Sequence, residues 1–286
     1  MTANQTGSSA APERTAALAV RRTALVTGAS SGIGRAVAAA LASRGHRVIG
    51  TSRDPEAIDA KQRLDRIEWL PLDLTDRSSV EACAKAAGEI DILVNNAGES
   101  QVGAFEELPE EAIRRMFELN VLGPVHLTQL LVSGMRKRGY GRVVMVGSML
   151  ASFPLAFRSS YCSTKAAIKA FSDGARFELS PFGVWVSTVE PGSINTGISQ
   201  RRTKYVAQGS PYERDFNTVL TALDSNEAQG ISAEKVASTV LKAIEAERPK
   251  PLYAVGSNAP VVFALKRISP QTVVERIVAR KHGLTR

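Results

Sequence analysis

Thr23 to Val26 is a short apolar run that leads directly into Thr27-Gly28-Ala29-Ser30-Ser31-Gly32-Ile33-Gly34, and the helix-forming run Arg35 to Arg44 follows at once. A strand, a glycine-rich turn and a helix in immediate succession constrain this chain more than any other stretch. Glycines permit the tight turn and let backbone come close to a ligand, while the free amides and positive dipole end of the next helix attract a pyrophosphate. The flanking strand and helix are the context that turns a glycine pattern into a phosphate cradle, and such cradles belong to parallel α/β folds.

The rest of the chain repeats the alternation. Further strands are expected at Arg47 to Ser52, Ile67 to Leu72, Ile90 to Val94, Arg142 to Gly147, Val184 to Val189 and Leu252 to Val255. Between them lie helical stretches from Asp76 to Gly88, from Pro109 to about Arg138 with an interruption at Asn120 and Gly123-Pro124, from Ser159 to Ser180, and from Ser232 to Glu247. No internal repeat or linker divides them. The expected architecture is therefore α/β: a single doubly wound, Rossmann-type parallel sheet with helices on both faces, spanning residues 21–286. At 286 residues, with 44% hydrophobic and 22% charged, the chain can bury one large core.

Three segments stand outside the alternation. Residues 1–20, rich in Ala, Ser and Thr, read as a disordered leader, because the apolar run Ala16 to Val20 is too short for a signal peptide and lacks a basic region ahead of it. Residues 197–230 are polar and read as a mobile flap over the site. Residues 259–283 read as a short helical extension, Val261 to Ile268 and Gln271 to Lys281, separated by Pro270. No run of about 18 residues is continuously apolar, so no spanning helix is expected. Two cysteines, Cys83 and Cys162, are too few for a disulfide framework and have no metal-ligand spacing around them, which points to a reducing compartment, the cytoplasm, and to no metal.

Chemistry-bearing residues gather at strand ends. Ser52-Arg53-Asp54 closes the second strand, where an acid favours a bare ribose 2′-hydroxyl and an arginine favours a 2′-phosphate. Ser52 occupies the acid's usual position, so Arg53 favours NADP over NAD, against the alternative that Asp54 is the acid. Asp73 follows the third strand beside Leu74 and is placed to reach an adenine. Asn95-Asn96-Ala97-Gly98 closes the fourth strand with small residues suited to a close backbone approach. Ser148 ends the fifth strand, at the sheet edge where ligands bind. It is no hydrolase nucleophile, because the Gly-x-Ser-x-Gly pattern is absent and His46, His126 and His282 are scattered. Tyr161 and Lys165 are four apart and so share one helix face, about 6 Å apart along the axis. A phenol titrates near pH ~10 alone, and a nearby ammonium would favour its phenolate. Tyrosine and lysine at this spacing also occur by chance on solvated helix faces, so the context decides.

That context, Thr-Gly-x-x-x-Gly-x-Gly at 27–34, Asn95-Asn96-Ala97-Gly98, Asn120, Ser148, Tyr161-x-x-x-Lys165 and Pro191-Gly192, resembles the short-chain dehydrogenase/reductases over residues 22–255. The stretch Glu178 to Gly192, with Tyr161-Cys162 and the C-terminal extension, looks more narrowly like the 17β-hydroxysteroid and retinol dehydrogenase-like branch. The resemblance implies an NADP-dependent oxidoreductase that interconverts carbonyl and alcohol. It implies that Tyr161 acts as acid/base, Lys165 lowers its pKa and contacts the ribose, Ser148 holds the substrate oxygen, and Asn120 supports a relay water. It likewise implies that Gly28, Ser30, Ser31, Gly32, Ile33, Gly34, Arg53, Asp73, Leu74, Asn95, Ala97, Gly98, Pro191, Gly192, Ile194 and Thr196 join Tyr161 and Lys165 in the cofactor site, with Asn95 also bracing the sheet. Homodimers or homotetramers are usual in the family. Gly147 and Ser163 depart from the common pattern without touching the tetrad.

Around that tetrad Leu150, Phe153 and Leu155, with Met149 and Phe157, favour an apolar steroid-, retinoid- or lipid-like substrate, although core packing accounts for them equally well. A dinucleotide-sensing protein without chemistry is the alternative on the same fold. The net charge of +8 does not by itself imply nucleic acid, since Lys266, Arg267, Arg276, Arg280, Lys281 and Arg286 cluster at the end against Glu275 and no nucleic-acid motif accompanies them. The C-terminal helices either pack on the parent domain or a second subunit, or lie on a membrane surface.

Overall fold

The computed structural model describes residues 20–197 and 201–284. The expected leader, apart from Val20, therefore lies outside the described residues. In chain order the elements are β1 (Thr23–Val26), α1 (Gly32–Ser43), β2 (Arg47–Ser52), β3 (Ile67–Pro71), α2 (Arg77–Ala87), β4 (Ile92–Asn95), β5 (Gln101–Gly103), α3 (Glu110–Phe117), α4 (Gly123–Lys137), β6 (Gly141–Val146), α5 (Ser159–Leu179), β7 (Val184–Pro191), β8 (Thr203–Tyr205), α6 (Glu213–Ala228), α7 (Ala233–Glu245), β9 (Leu252–Val255), α8 (Ala259–Ile268) and α9 (Gln271–Lys281).

Seven strands form one sheet in the order β3-β2-β1-β4-β6-β7-β9, every neighbouring pair parallel. The chain winds outward from β1 to β3, then returns to β4 on the other side of β1, so the strand order reverses between β1 and β4. Ligands bind beyond the carboxyl ends of the strands at such a reversal. The doubly wound expectation holds.

Both faces of the sheet are covered, which is why its strands read as continuous apolar runs rather than alternating ones. Ala24 and Val26 of β1 face α1 and α7 through Val37, Leu41, Val236 and Val240. Leu25 between them faces the opposite layer, where Leu127 and Met135 of α4 and Ile168 of α5 pack. The side-chain alternation of a strand thus divides one apolar run between two cores.

Helix boundaries follow local chemistry. The Asp76 carboxylate accepts from the Ser78 amide at the start of α2, and the Ser232 hydroxyl accepts from the Lys235 amide at the start of α7. The expected break at Asn120 is a wide turn of π type, Glu118–Leu122, between α3 and α4, a local swelling that often marks functional positions.

Two features depart from expectation. Residues 197–230, expected as a mobile polar flap, contain β8 and the sixteen-residue helix α6; residues 198–200 lie outside the described ones. Phe216, Val219 and Leu223 form a buried stripe at helical spacing, packed on Leu155 and Phe157. In addition, β5 pairs in parallel with β8, Gln101 opposite Thr203, and ties this segment to the loop after β4. The C-terminal helices pack on the parent domain: Ala259 and Val274 bury against Met149 and Phe153, with the Phe153 and Phe263 rings edge to face at 5.1 Å.

Candidate active site

The turn after β1 requires its glycines. Gly28 sits at φ +65°, and a Cβ there would approach the Ala97 Cα to 3.0 Å; a Cβ on Gly34 would meet the Gly28 carbonyl oxygen at 2.2 Å. The start of α1 is therefore folded down onto the turn with no room for a side chain. Ser31 precedes α1 in an extended conformation and gives its first turn no side-chain cap, which leaves the first amides and the positive dipole end available to an anion. These features fit a dinucleotide pyrophosphate.

Asn96 clamps this turn to the end of β4. Its amide group donates to the Thr27 and Gly28 carbonyls at 2.9 and 3.3 Å, and the Thr27 hydroxyl accepts from the Asn96 and Ala97 amides. Asn95, one residue earlier, points the other way and donates to the Thr128 hydroxyl at 3.0 Å.

A cavity of about 860 Å³ runs from the turn past α5 to the C-terminal helices. Of the residues expected to bind cofactor, Gly28, Ser30, Ser31, Gly32, Ile33, Arg53, Asp73, Leu74, Ala97, Gly98, Pro191, Gly192, Ile194 and Thr196 line it; so do Ser148, Leu150, Phe153, Tyr161 and Lys165. Four expected residues do not reach its surface. Gly34 sits beneath the turn. Asn95 turns its side-chain amide to the Thr128 hydroxyl instead. Leu155 faces Val219 and Leu223 of α6 and is core. Asn120 stands behind Gly98, its oxygen accepting from the Glu99 amide at 2.9 Å and its nitrogen donating to the Glu99 carbonyl at 3.1 Å, so it holds the segment after β4 rather than facing the cavity.

Ser148, Tyr161 and Lys165 come together as expected. Ser148 follows β6 and caps the short turn after it by accepting from the Leu150 amide. Tyr161 and Lys165 occupy the first turns of α5 and are 9% and 7% exposed. The Lys165 amine donates to the Val146 carbonyl at 3.1 Å and stands 5.7 Å from the centre of the Tyr161 ring. Burial pushes it down to about 8.

Burial raises the Tyr161 phenol above its ordinary range; the Arg158 charge opposes this first, and the Ser148 hydroxyl beside the phenol adds to that opposition. Arg158 was not anticipated. It is 3% exposed, its guanidinium carbon lies 4.1 Å from the Tyr161 ring centre, and one terminal nitrogen donates to the Ser100 hydroxyl and the Gln101 carbonyl. A signal existed in its position three residues before Tyr161 at a helix start, a spacing that brings side chains together. Arg115 and the cavity-facing residues of α8 and α9 were also missed, whereas Asn96 was expected only as part of the Asn95–Gly98 turn and not as the clamp on Thr27 and Gly28.

At the end of the cavity beside β2, Arg53 is part of the lining while Asp54 caps its own turn by accepting from the Glu56 and Ala57 amides at 3.0 and 3.2 Å. The Asp73 carboxyl is held below the usual range chiefly by the Thr75 hydroxyl, which donates to it at 2.7 Å, and by the Thr75 amide. At the opposite end the wall is mainly apolar, with Met149, Leu150 and Phe153 from the segment after β6 and Val262, Leu265, Val274 and Ile277 from α8 and α9, and Lys266, Ser269, Lys281 and His282 add polar groups to it.

Comparison with known proteins agrees with this geometry. The sequence profile of the short chain dehydrogenase family matches residues 22–206. A 3-ketodihydrosphingosine reductase of Bacteroides thetaiotaomicron is 30% identical over 84% of this chain and 90% of its own length. An NADPH-dependent 3-dehydrocapnine reductase of Ornithobacterium rhinotracheale is 32% identical over 90% and 95%. A short-chain dehydrogenase crystal structure from Streptomyces avermitilis, 36% identical, superposes with a TM-score of 0.78 over 92% of this chain and 97% of that one.

Proposed function

The chain belongs to the short-chain dehydrogenase/reductase family of oxidoreductases, and from that premise we propose that it is an NADPH-dependent reductase of a ketone borne on a long apolar substrate. The observation that carries this reading is one continuous cavity, glycine-lined where it meets β1 and α1 and mainly apolar where it meets α8 and α9, with Lys266, Ser269, Lys281 and His282 among its residues there and with Tyr161 and Ser148 lining it as well.

When bound, the nicotinamide supplies the hydride. Hydride arrival at the carbonyl carbon leaves negative charge on the oxygen, and Tyr161 meets it by giving up its phenolic proton, while the Ser148 hydroxyl donates a hydrogen bond to the same oxygen. Arg158 and Lys165, both close to the ring, favour the phenolate that remains. The uncapped first turn of α1 receives the pyrophosphate, and Lys165 is within reach of the ribose.

Arg53 supports NADP over NAD. The Asp54 carboxylate, the alternative reader of a free ribose hydroxyl, is taken up by its own turn, whereas Arg53 lines the cavity and offers a charged donor to a 2′-phosphate. The relative whose name specifies NADPH supports the same choice. The two reductases named above are named for single keto groups, on ketodihydrosphingosine and dehydrocapnine, and the apolar wall favours a chain of that kind over a small polar ketone. Self-association, usual in the family, would use the outer face of α5, where Phe171 and Phe177 are exposed.

The test is NADPH consumption against ketones of increasing chain length, with Tyr161→Phe as control. Rates should climb with apolar length, and the variant should lose about 10²–10⁴-fold in turnover while still binding NADPH. Small polar ketones outrunning every apolar one would refute the substrate class, and substantial residual activity in the variant would refute the role of Tyr161.

A further inference from the structure

An amphipathic helix that only closes a cavity shows one apolar face inward and a polar face outward. The α8–α9 pair is apolar on both. Inward, Ala259 and Val274 are buried against Met149 and Phe153. Away from the cavity lining, α8 exposes Val261 and Ile268 by 60% and 80% and α9 exposes Val273 by 40%; Leu265 and Ile277, exposed by 51% and 58%, continue the same stripes at i+4 to the cavity's edge. That spacing places each set on one stripe of its helix.

Basic residues frame the stripes. Arg267, Arg276, Arg280 and Lys281 are exposed and have no ion pair among the described residues, and Glu275 is the single acid of the two helices. Lys266 is the exception among the bases. Its amine turns inward, bonds the Ser152 carbonyl and stands 5.0 Å from the Phe153 ring centre, pinning α8 to the cavity wall. Leu265 and Ile277 belong both to the exposed stripes and to the cavity lining. The cavity therefore opens within the apolar patch.

We propose that the α8–α9 pair docks on an anionic lipid surface and that the cavity takes its substrate from that surface between Leu265 and Ile277. Apolar stripes framed by unpaired basic residues match a bilayer interface, where hydrocarbon receives the one and anionic headgroups the other. A second copy of the chain fits worse, because a two-fold contact through this face would bring two strongly basic patches together with Glu275 as the single acid of the two helices on each side. Docking stands independently of the reductase reading; the substrate route rests on it.

The experiment is sedimentation of the full chain with vesicles of phosphatidylcholine alone and with phosphatidylglycerol added. Binding to the mixed vesicles, weakened by salt, is expected. Arg276→Glu with Arg280→Glu should weaken it at least ~25-fold, since each basic residue near the surface is worth roughly fivefold. Ile268→Asp should weaken it while leaving turnover of a short soluble ketone unchanged, which also reports that the variant folds. None of these three residues lines the cavity. For a ketone held in anionic vesicles, the apparent KM should rise in the same variants with kcat retained. Absence of vesicle binding by the full chain, or binding indifferent to both sets of substitutions, overturns the proposal. So does sedimentation velocity showing that Ile268→Asp splits a dimer. Vesicle binding without ketone reduction would instead sink the reductase reading and leave docking intact.

Discussion

The guanidinium carbon of Arg158 stands 4.1 Å from the centre of the Tyr161 ring, nearer to the phenol's ring than the Lys165 amine at 5.7 Å. The two cations approach one phenol from two elements, the residue just before α5 and its second turn. Arg158 is the stronger influence on the phenol in this structure, second only to burial itself and opposite in sign.

Replacing Arg158 by Gln should therefore raise the Tyr161 phenol further. In alcohol oxidation, where the phenolate is the required form, the rising limb of kcat/KM against pH should move to higher pH, and the rate near neutrality should fall about fivefold, the worth of roughly 1 kcal/mol of cation–π attraction. Arg158→Lys should recover part of this. A purely structural role would lower thermal stability in both variants and leave the pH limb in place.

Lys165 carries a stability cost with a defined sign. Its folded-state value of about 8 lies below the ordinary 10.5 because burial penalises the charged amine. The unfolded chain therefore binds more protons between those values, so stability rises as pH climbs from 8 to 10.5, by about 3 kcal/mol from this group. Lys165→Met should remove that cost and forfeit the bond to Val146, worth about 1 kcal/mol. The cofactor-free variant should unfold at a higher temperature at pH 7, with its advantage shrinking toward pH 10, while turnover collapses. An advantage that stayed constant with pH would contradict the buried charge.

Two glycines make opposite predictions for the same substitution. At Gly34 a Cβ would meet the Gly28 carbonyl oxygen at 2.2 Å, so alanine must push α1 away from the turn. NADPH affinity should fall about tenfold or more, in keeping with 1–3 kcal/mol of overpacking. Gly174 lies inside α5 with nothing near its would-be Cβ. Alanine there should raise stability by about 0.5–1 kcal/mol through helix propensity alone and leave cofactor titration unchanged.

The contrast between Asn95 and Asn96 shows where sequence reading stops. Both are asparagines at one strand end, yet successive strand residues face opposite sides, and only the fold decides that Asn96 holds the cofactor turn while Asn95 braces α4. The strands themselves were legible because both faces of a parallel sheet are buried, so that each strand is dominated by a short apolar run even where Glu68, Arg142 or Glu190 interrupts it. Helix α6 was not: Phe216, Val219 and Leu223 keep helical spacing, but Asn217, Thr218, Thr221, Asp224 and Ser225 dilute them into an apparently polar loop. The β5–β8 pair joins three-residue strands about a hundred residues apart, and such short non-local pairing leaves no periodic trace. The alternation put Ser148 at a strand end and Tyr161 and Lys165 at a helix start, but their spacing alone was ambiguous, and only the ordered set of motifs from Gly28 to Gly192 singled them out.

The reading of Arg53 leads to the last prediction. Its side chain is exposed at the end of the cavity beside β2, with Ser52 bonded to the Asp54 carbonyl and the Asp54 carboxylate committed to two turn amides. The Asp54 carboxylate is directed into its own turn, and Arg53 offers the charged donor that favours a 2′-phosphate. Arg53→Ala should raise the KM for NADPH about tenfold, in line with 1.5–3 kcal/mol for a hydrogen bond to a charged group partly screened by solvent, and leave the KM for NADH within about twofold. Added salt should narrow the wild-type preference and leave that of the variant nearly unchanged. Equal loss with both cofactors would instead mark Arg53 as a residue that shapes the turn, and a wild-type preference for NADH would place the recognition of the ribose elsewhere.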